Sequence, residues 1–194
     1  MAEPPVSAPA SRGTMNALRR AARHPLLARV VLRPRVRATI ARVLALRFLS
    51  AAFATTTPLA FVGAELLGQA RGPRPRTHTL RGSGRPVVVT HGRDLEAFYE
   101  LFHRGEYQAP DELAPLLSRE RVSTVLDVGA NVGMFSIWAA TQWPQARIVA
   151  FEPDPTNVAT MRHGLAVSGV SVDLIDAAAG ITHGTVTFVG ELGW

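Results

Sequence analysis

From residue 85 onward, apolar positions alternate between short continuous runs and longer stretches in which they recur every three or four residues. Short apolar runs bounded by turn residues predict buried strands, and the wider spacing predicts helices packed by one face. Val122 to Val128, Arg147 to Phe151 and Val170 to Ile175 read as strands, and Met134 to Gln142 and Pro155 to Ser168 as helices. Thr185 to Val189, after Gly180 and Gly184, reads as a fourth extended segment. Ahead of these, Pro86 to Thr90 is β-rich and His91-Gly92 supplies a turn. Asp94 is placed to cap a helix that gathers Leu95, Phe98, Leu101 and Phe102 on one face. Strands alternating with helices over short loops imply an α/β fold around a parallel sheet with right-handed crossovers.

The pattern before residue 71 is different. Residues 1–14, rich in proline and small side chains, predict a disordered leader. Past Pro34, residues Val36, Ile40, Val43, Leu44 and Phe48 fall near one helical face. The uncharged stretch from Phe48 to Ala64 spans 17 residues and is interrupted by Thr55, Thr56, Thr57 and Pro58. A membrane span usually takes about 20 apolar residues. Three readings stay open: helices that pack on the following domain or help bind its substrate, a basic amphipathic helix resting on an anionic membrane surface through residues 35–64, and a true span. Residues 71–84, dense in Gly, Pro and Ser, read as a linker. The sequence therefore divides into a basic, partly helical or disordered extension (1–70), a linker (71–84) and an α/β domain (85–194).

Charge sharpens that division. Residues 1–81 hold 14 Arg against Glu3 and Glu65, a balance of +12, whereas residues 82–194 hold 7 Arg against 13 acidic residues, a balance of −6. The basic character belongs to the extension, so it gives no reason to read the α/β domain as a nucleic-acid binder. The chain has no cysteine, which excludes disulfides and thiolate metal sites and is consistent with a reducing compartment. No apolar stretch lies near enough to Met1 for a cleaved secretory signal, and the expected location is the cytoplasm, with peripheral membrane contact as the alternative. The six histidines show no metal-ligand spacing, no metal is expected, and surface or structural roles are their default.

The chemistry concentrates in Val125-Leu126-Asp127-Val128-Gly129-Ala130-Asn131-Val132-Gly133. This segment runs from an apolar strand through a glycine turn into a helix, whose N-terminus offers N–H groups and a positive dipole end to an anion. Asp127 falls at the strand's carboxyl end, where open α/β sheets bind ligands. Nineteen residues after Gly133, Glu152 begins Glu152-Pro153-Asp154 at the end of the next strand, where a carboxylate can accept hydrogen bonds from both hydroxyls of a ribose. Together they describe a site for an adenosine-containing ligand. Dinucleotide turns place a glycine under the pyrophosphate, but Asn131 stands at that position. A ligand without pyrophosphate and with a cationic amine, such as S-adenosylmethionine, suits the turn better.

The segments VLDVGANVGMFSIWAA, IVAFEPDPTNVATMRHGL and DAAAGITHGTVTF resemble the first three motifs of the FkbM family of class I methyltransferases. DLEAFYELFHRGEYQAP is similar to the family's opening segment, which ends near a tyrosine, here Tyr107. The resemblance covers residues 85–194 and implies a doubly wound, Rossmann-like sheet and S-adenosylmethionine as methyl donor. It implies that Asp127 and Gly129 contact the methionine end, that Asn131 and Gly133 shape the loop, and that Glu152 holds the ribose with Pro153 fixing the turn after it. Asp176 and Ala177 would border the adenine, and Tyr107 either packs or acts as a lid. The implied acceptor is an oxygen on a sugar or specialised metabolite, a small molecule or glycan, and no catalytic residue can be assigned.

The family's sheet continues with a fourth core strand and an acidic segment that this chain does not contain, so the sheet is expected to be incomplete at its C-terminus and the edge at Val122 to Val128 to lack a partner. Poor folding or weak cofactor binding of the isolated chain is the corresponding expectation. Two other functions remain open: an inactive cofactor-binding remnant, and a membrane-surface or nucleic-acid adaptor acting through the basic extension.

Overall fold

The computed structural model describes residues 49–182, 184 and 185. Its element order after a helical turn over residues 49–52 is α1 (Pro58–Arg71), β1 (Arg74–Thr79), β2 (Pro86–His91), α2 (Leu95–Tyr99), β3 (Thr124–Val128), α3 (Met134–Gln142), β4 (Arg147–Phe151), α4 (Pro155–Ser168) and β5 (Asp173–Ile175). A π-helical turn, Glu100–Arg104, extends α2 and ends at Gly105 in the left-handed conformation.

The fold is α/β. Strands β3, β4 and β5 form a parallel sheet in that order, with Asp127 level with Ala150 and Val128 level with Phe151. Each connection carries one of the helices expected from sequence, with the expected bounds for α3, β4 and α4. The first strand starts at Thr124 rather than Val122, and the third is only Asp173–Ile175. Of the fourth extended segment expected at 185–189, all but Thr185 lies outside the described residues, as do the leader and the amphipathic pattern of residues 36–48.

The span 71–84, expected as a linker, instead holds β1, which pairs antiparallel with β2 from Arg74 opposite His91 to Thr79 opposite Pro86. Proline removes a backbone donor but is compatible with an edge strand, which is where Pro75 sits. The hairpin packs beneath α1: Phe61 stacks against His78, His91 and Phe98, with ring centroids 4.8–4.9 Å apart. Gly68 lets the helix reach the strand, since a Cβ there would lie 2.5 Å from the His91 carbonyl carbon. The stretch Phe48 to Ala64 is not one helix, because Phe53 to Thr57 form turns and Thr55 bridges to Leu80. No described helix is long and apolar enough to cross a membrane.

Asp94 precedes α2 but makes no side-chain cap bond to it. Its carboxylate instead accepts from the Thr90 amide (2.9 Å), closing the β2–α2 turn from below. One continuous core runs from Ala51, Phe61 and Phe98 through Val89 to Val125, Ile137, Ala150 and Met161.

Candidate functional site

Two strand ends and one loop make the site. Parallel pairing carries β3 and β4 to the same level, and Phe151 at the end of β4 then receives both the Gly129 and Ala130 amides on its carbonyl, at 2.9 and 3.0 Å. The loop that follows β3 has three residues with positive φ: Gly129 (77°), Asn131 (51°) and Gly133 (80°). Asparagine is among the few side chains that occupy this region readily, which accounts for Asn131 between two glycines. Gly133 is fixed twice over, by its φ and by Met161, whose Cγ would lie 2.6 Å from an added Cβ. At Gly129 an added Cβ would meet nothing within 4 Å, so the main chain there borders open space.

Asp127 is buried at the end of β3 and accepts the Ser136 hydroxyl at 2.6 Å. Burial pushes its carboxyl above the ordinary value; hydrogen bonds from Ser136 oppose this, and the nearby Glu152 charge adds to it. Its carboxylate thus takes the place at the start of α3 that a bound anion would otherwise occupy.

Glu152 is buried, with only 4% of its surface exposed, and ties the site together. One oxygen accepts the Asn131 amide at 2.7 Å; the other accepts the Asp154 amide at 3.0 Å and the Asn157 side-chain amide at 3.4 Å. A carboxylate offers about four lone-pair positions, so three are filled by the protein and room remains for one hydroxyl. Taking both hydroxyls of a ribose requires one of these three bonds to open, and the one from Asn157 is the longest. Asp154 caps α4 by accepting from the Thr156 and Asn157 amides, with Pro155 at the first helical position.

The remaining sequence candidates lie at the rim. Pro153 and Asp176 line a shallow cleft of about 340 Å³ together with Pro155, Val158 and Arg162, beside the end of β4. Asp176 is exposed and paired with Arg162 at 2.9 Å. Ala177 is exposed and its amide donates to Ile175 at 2.8 Å. Tyr107 packs on Phe135 and Trp138 of α3, with ring centroids 5.2 and 6.1 Å away. A second cleft, of about 390 Å³, reaches Thr141 and Gln142 at the far end of α3 and contains none of the strand-end carboxylates.

The Gly129, Ala130 and Asn131 amides are bonded to Phe151 and Glu152. With two buried carboxylates alongside, the loop favours a cationic group over a phosphate. Sequence reasoning does not single out Ser136 and Asn157 as site residues; each sits on a helix close after a strand-end acid, and that helical adjacency is the available signal. Among the described residues no group of His, Asp and Glu could hold a metal ion.

No family model matches the chain. Over 71 residues, 37% of its length, the chain is 61% identical to the AMB antimetabolite synthetase AmbE of Pseudomonas aeruginosa, of which it covers 3%. It is 37% identical over 49 residues to Methyltransferase 1 of Beauveria bassiana and 41% identical over 44 residues to Methyltransferase sdnD of Sordaria araneosa. These stretches are 25% and 23% of this chain, and the chain spans 20% and 17% of those relatives. Two methyltransferases are thus among the proteins to which the chain is similar.

Proposed function

We propose that the chain carries the cofactor-binding part of a class I, Rossmann-like methyltransferase of the FkbM type that uses S-adenosylmethionine. The observation that carries this reading is the 2.7 Å bond from the Asn131 amide to Glu152, which joins the glycine loop of β3 to the acid of β4 in one acidic, donor-poor pocket edge. A dinucleotide needs free amides under its phosphates, and the Gly129, Ala130 and Asn131 amides of this loop are engaged. The residues present suit S-adenosylmethionine. Asp127 attracts its ammonium group, the bare main chain at Gly129 leaves room for the ligand, Glu152 takes ribose hydroxyl, and the cleft at Pro153, Val158 and Asp176 borders the base.

When bound, S-adenosylmethionine supplies a methyl group already activated on a sulfonium. The protein's own task is then chiefly alignment and exclusion of water, since no strong base is needed to activate the donor. The acceptor we propose is an oxygen of a sugar or specialised metabolite; similarity to a synthetase of an antimetabolite favours the latter.

The test is calorimetric titration of the full chain with S-adenosylmethionine, for the wild type, Glu152→Gln and Glu152→Ala. Loss of a charge-assisted hydrogen bond, worth roughly 1.5–3 kcal/mol, should weaken binding at least tenfold in Ala and less in Gln, which keeps one acceptor oxygen. An unchanged dissociation constant in a folded Ala variant overturns the assignment, and tighter binding of NAD than of S-adenosylmethionine does so independently.

A further inference from the structure

Helix α1 has two apolar faces, and only one of them has a partner among the described residues. Phe61 and Gly68 turn inward onto the hairpin, and Glu65 is clamped to the His91 ring at 2.8 Å. On the opposite side, Leu59 is 87% exposed, Leu66 60% and Leu67 45%, and Phe53 in the preceding turn is 63% exposed. Leu59, Leu66 and Ala70 follow helical spacing along that side, and the helix carries no charge before Arg71 except the buried Glu65. A surface helix facing water normally turns charged side chains outward; an exposed run of leucines marks an interaction surface.

The border of that surface is cationic. Arg71 ends the helix, and Arg74 and Arg76 on β1 are exposed. Residues 74, 76 and 78 share one face of the strand, the face from which His78 meets Phe61, so both arginines rise on the side of α1. None of the three makes an ion pair among the described residues. Between residues 49 and 93 the single acid is Glu65, and residues 1–48 add ten arginines against Glu3. A protein partner of mixed charge would leave this rim unmatched; a surface of uniform negative charge over an apolar interior matches both parts at once. At 14 residues, α1 is about 21 Å long, too short for the roughly 30 Å hydrocarbon core, which fits a helix lying in the interface plane.

We infer that the outward face of α1, with Arg71, Arg74 and Arg76, is a docking surface for an anionic lipid bilayer. The full chain is incubated with phosphatidylcholine vesicles with and without phosphatidylglycerol and sedimented. The protein binds the anionic vesicles, binding falls with salt, and neutral vesicles retain little. Leu59→Gln combined with Leu66→Gln lowers the partition coefficient by roughly tenfold or more while the thermal transition is unchanged. A Leu59→Trp protein is quenched by brominated acyl chains beyond the wild type, whose tryptophans are at 138, 143 and 194; this readout decides the matter if the glutamine variant does not fold. The inference fails if anionic vesicles bind no protein, if the glutamine variant binds undiminished, so that basic charge alone suffices, or if brominated lipid quenches the Leu59→Trp protein no more than the wild type. It fails also if the stripe proves to be a dimer contact, seen as a lipid-free dimer that the glutamine variant converts to monomer.

Discussion

At the level of single residues, Asp127 and Glu152 were legible because an acid at a strand's carboxyl end is visible in the one-dimensional pattern. What they bond to was not. Ser136 reaches Asp127 and Asn157 reaches Glu152 only once a helix has turned them back toward the strand end. The consequence for Asp127 is a conflict between stability and binding. Its folded pKa is raised, with burial the leading cause, so the folded state holds the proton more tightly than the unfolded state. The ionised form therefore costs stability once the pH rises above the ordinary carboxylate range. Asp127→Asn removes that cost, and its side-chain oxygen can still accept from Ser136. We expect a higher melting temperature for the ligand-free variant at neutral pH. We expect S-adenosylmethionine to bind ten- to a hundredfold more weakly, the equivalent of roughly 1.5–3 kcal/mol for a charged hydrogen bond. Scanning fluorimetry and calorimetry on the same preparation test both halves; a variant that melts lower and binds equally well contradicts the assignment of Asp127.

At the level of elements, the helices and strands of residues 124–168 were readable because their apolar spacing is local, whereas the hairpin was not. The Gly and Pro content of residues 71–84 signals a break, but β1 exists through its pairing with β2 and through His78, which reaches under α1 to place its Nε2 2.8 Å from that of His91. The chain Glu65–His91–His78 is buried throughout. Burial raises the Glu65 pKa, but hydrogen bonds from His91, Gln69 and the Gly92 amide outweigh this and hold it low. Desolvation, with repulsion from His91, lowers His78 to about 4 from its ordinary 6.5. Between those values the unfolded chain binds the proton that the folded hairpin refuses, so stability is present above pH 6.5 and is lost as pH falls toward 4. The loss amounts to about 3 kcal/mol at most. Urea denaturation at pH 7, 5.5 and 4.5 (roughly the span of the shift) should show it, and a His78→Gln protein should have a flatter profile over the same range. The same elements make Gly68 intolerant. An added Cβ meets backbone atoms of His91 and Gly92 at 2.5–2.9 Å, which cannot step aside as a side chain could. Gly68→Ala should destabilise the fold by about 1–3 kcal/mol, even though alanine is the better helix former.

For the molecule as a whole, the sequence predicts an α/β fold with buried strands in a parallel sheet, and the family resemblance implies that helices cover both faces. The parallel order β3-β4-β5 is present, and α3 packs on β3 and β4. On the opposite face Leu126 is 64% exposed, Val128 63% and Ile175 41%, beside half-buried Val149 and Phe151 in register with them. β3 is also the sheet's outer strand among the described residues, so its apolar face borders an unpaired edge. An apolar face and an open edge together template association with other chains. The chain as it stands should therefore self-associate with rising concentration, at a rate set by this face and not by global unfolding. Leu126→Thr combined with Val128→Lys keeps strand propensity at the first position and places a charge at the edge. It should raise the concentration at which light scattering appears, while unfolding free energy stays within about 0.5 kcal/mol, as expected for substitutions outside the core. The two readouts separate the alternatives. If scattering is unchanged, association uses another surface; if instead stability drops by the about 2–5 kcal/mol of a core change, Leu126 and Val128 are covered in the folded chain.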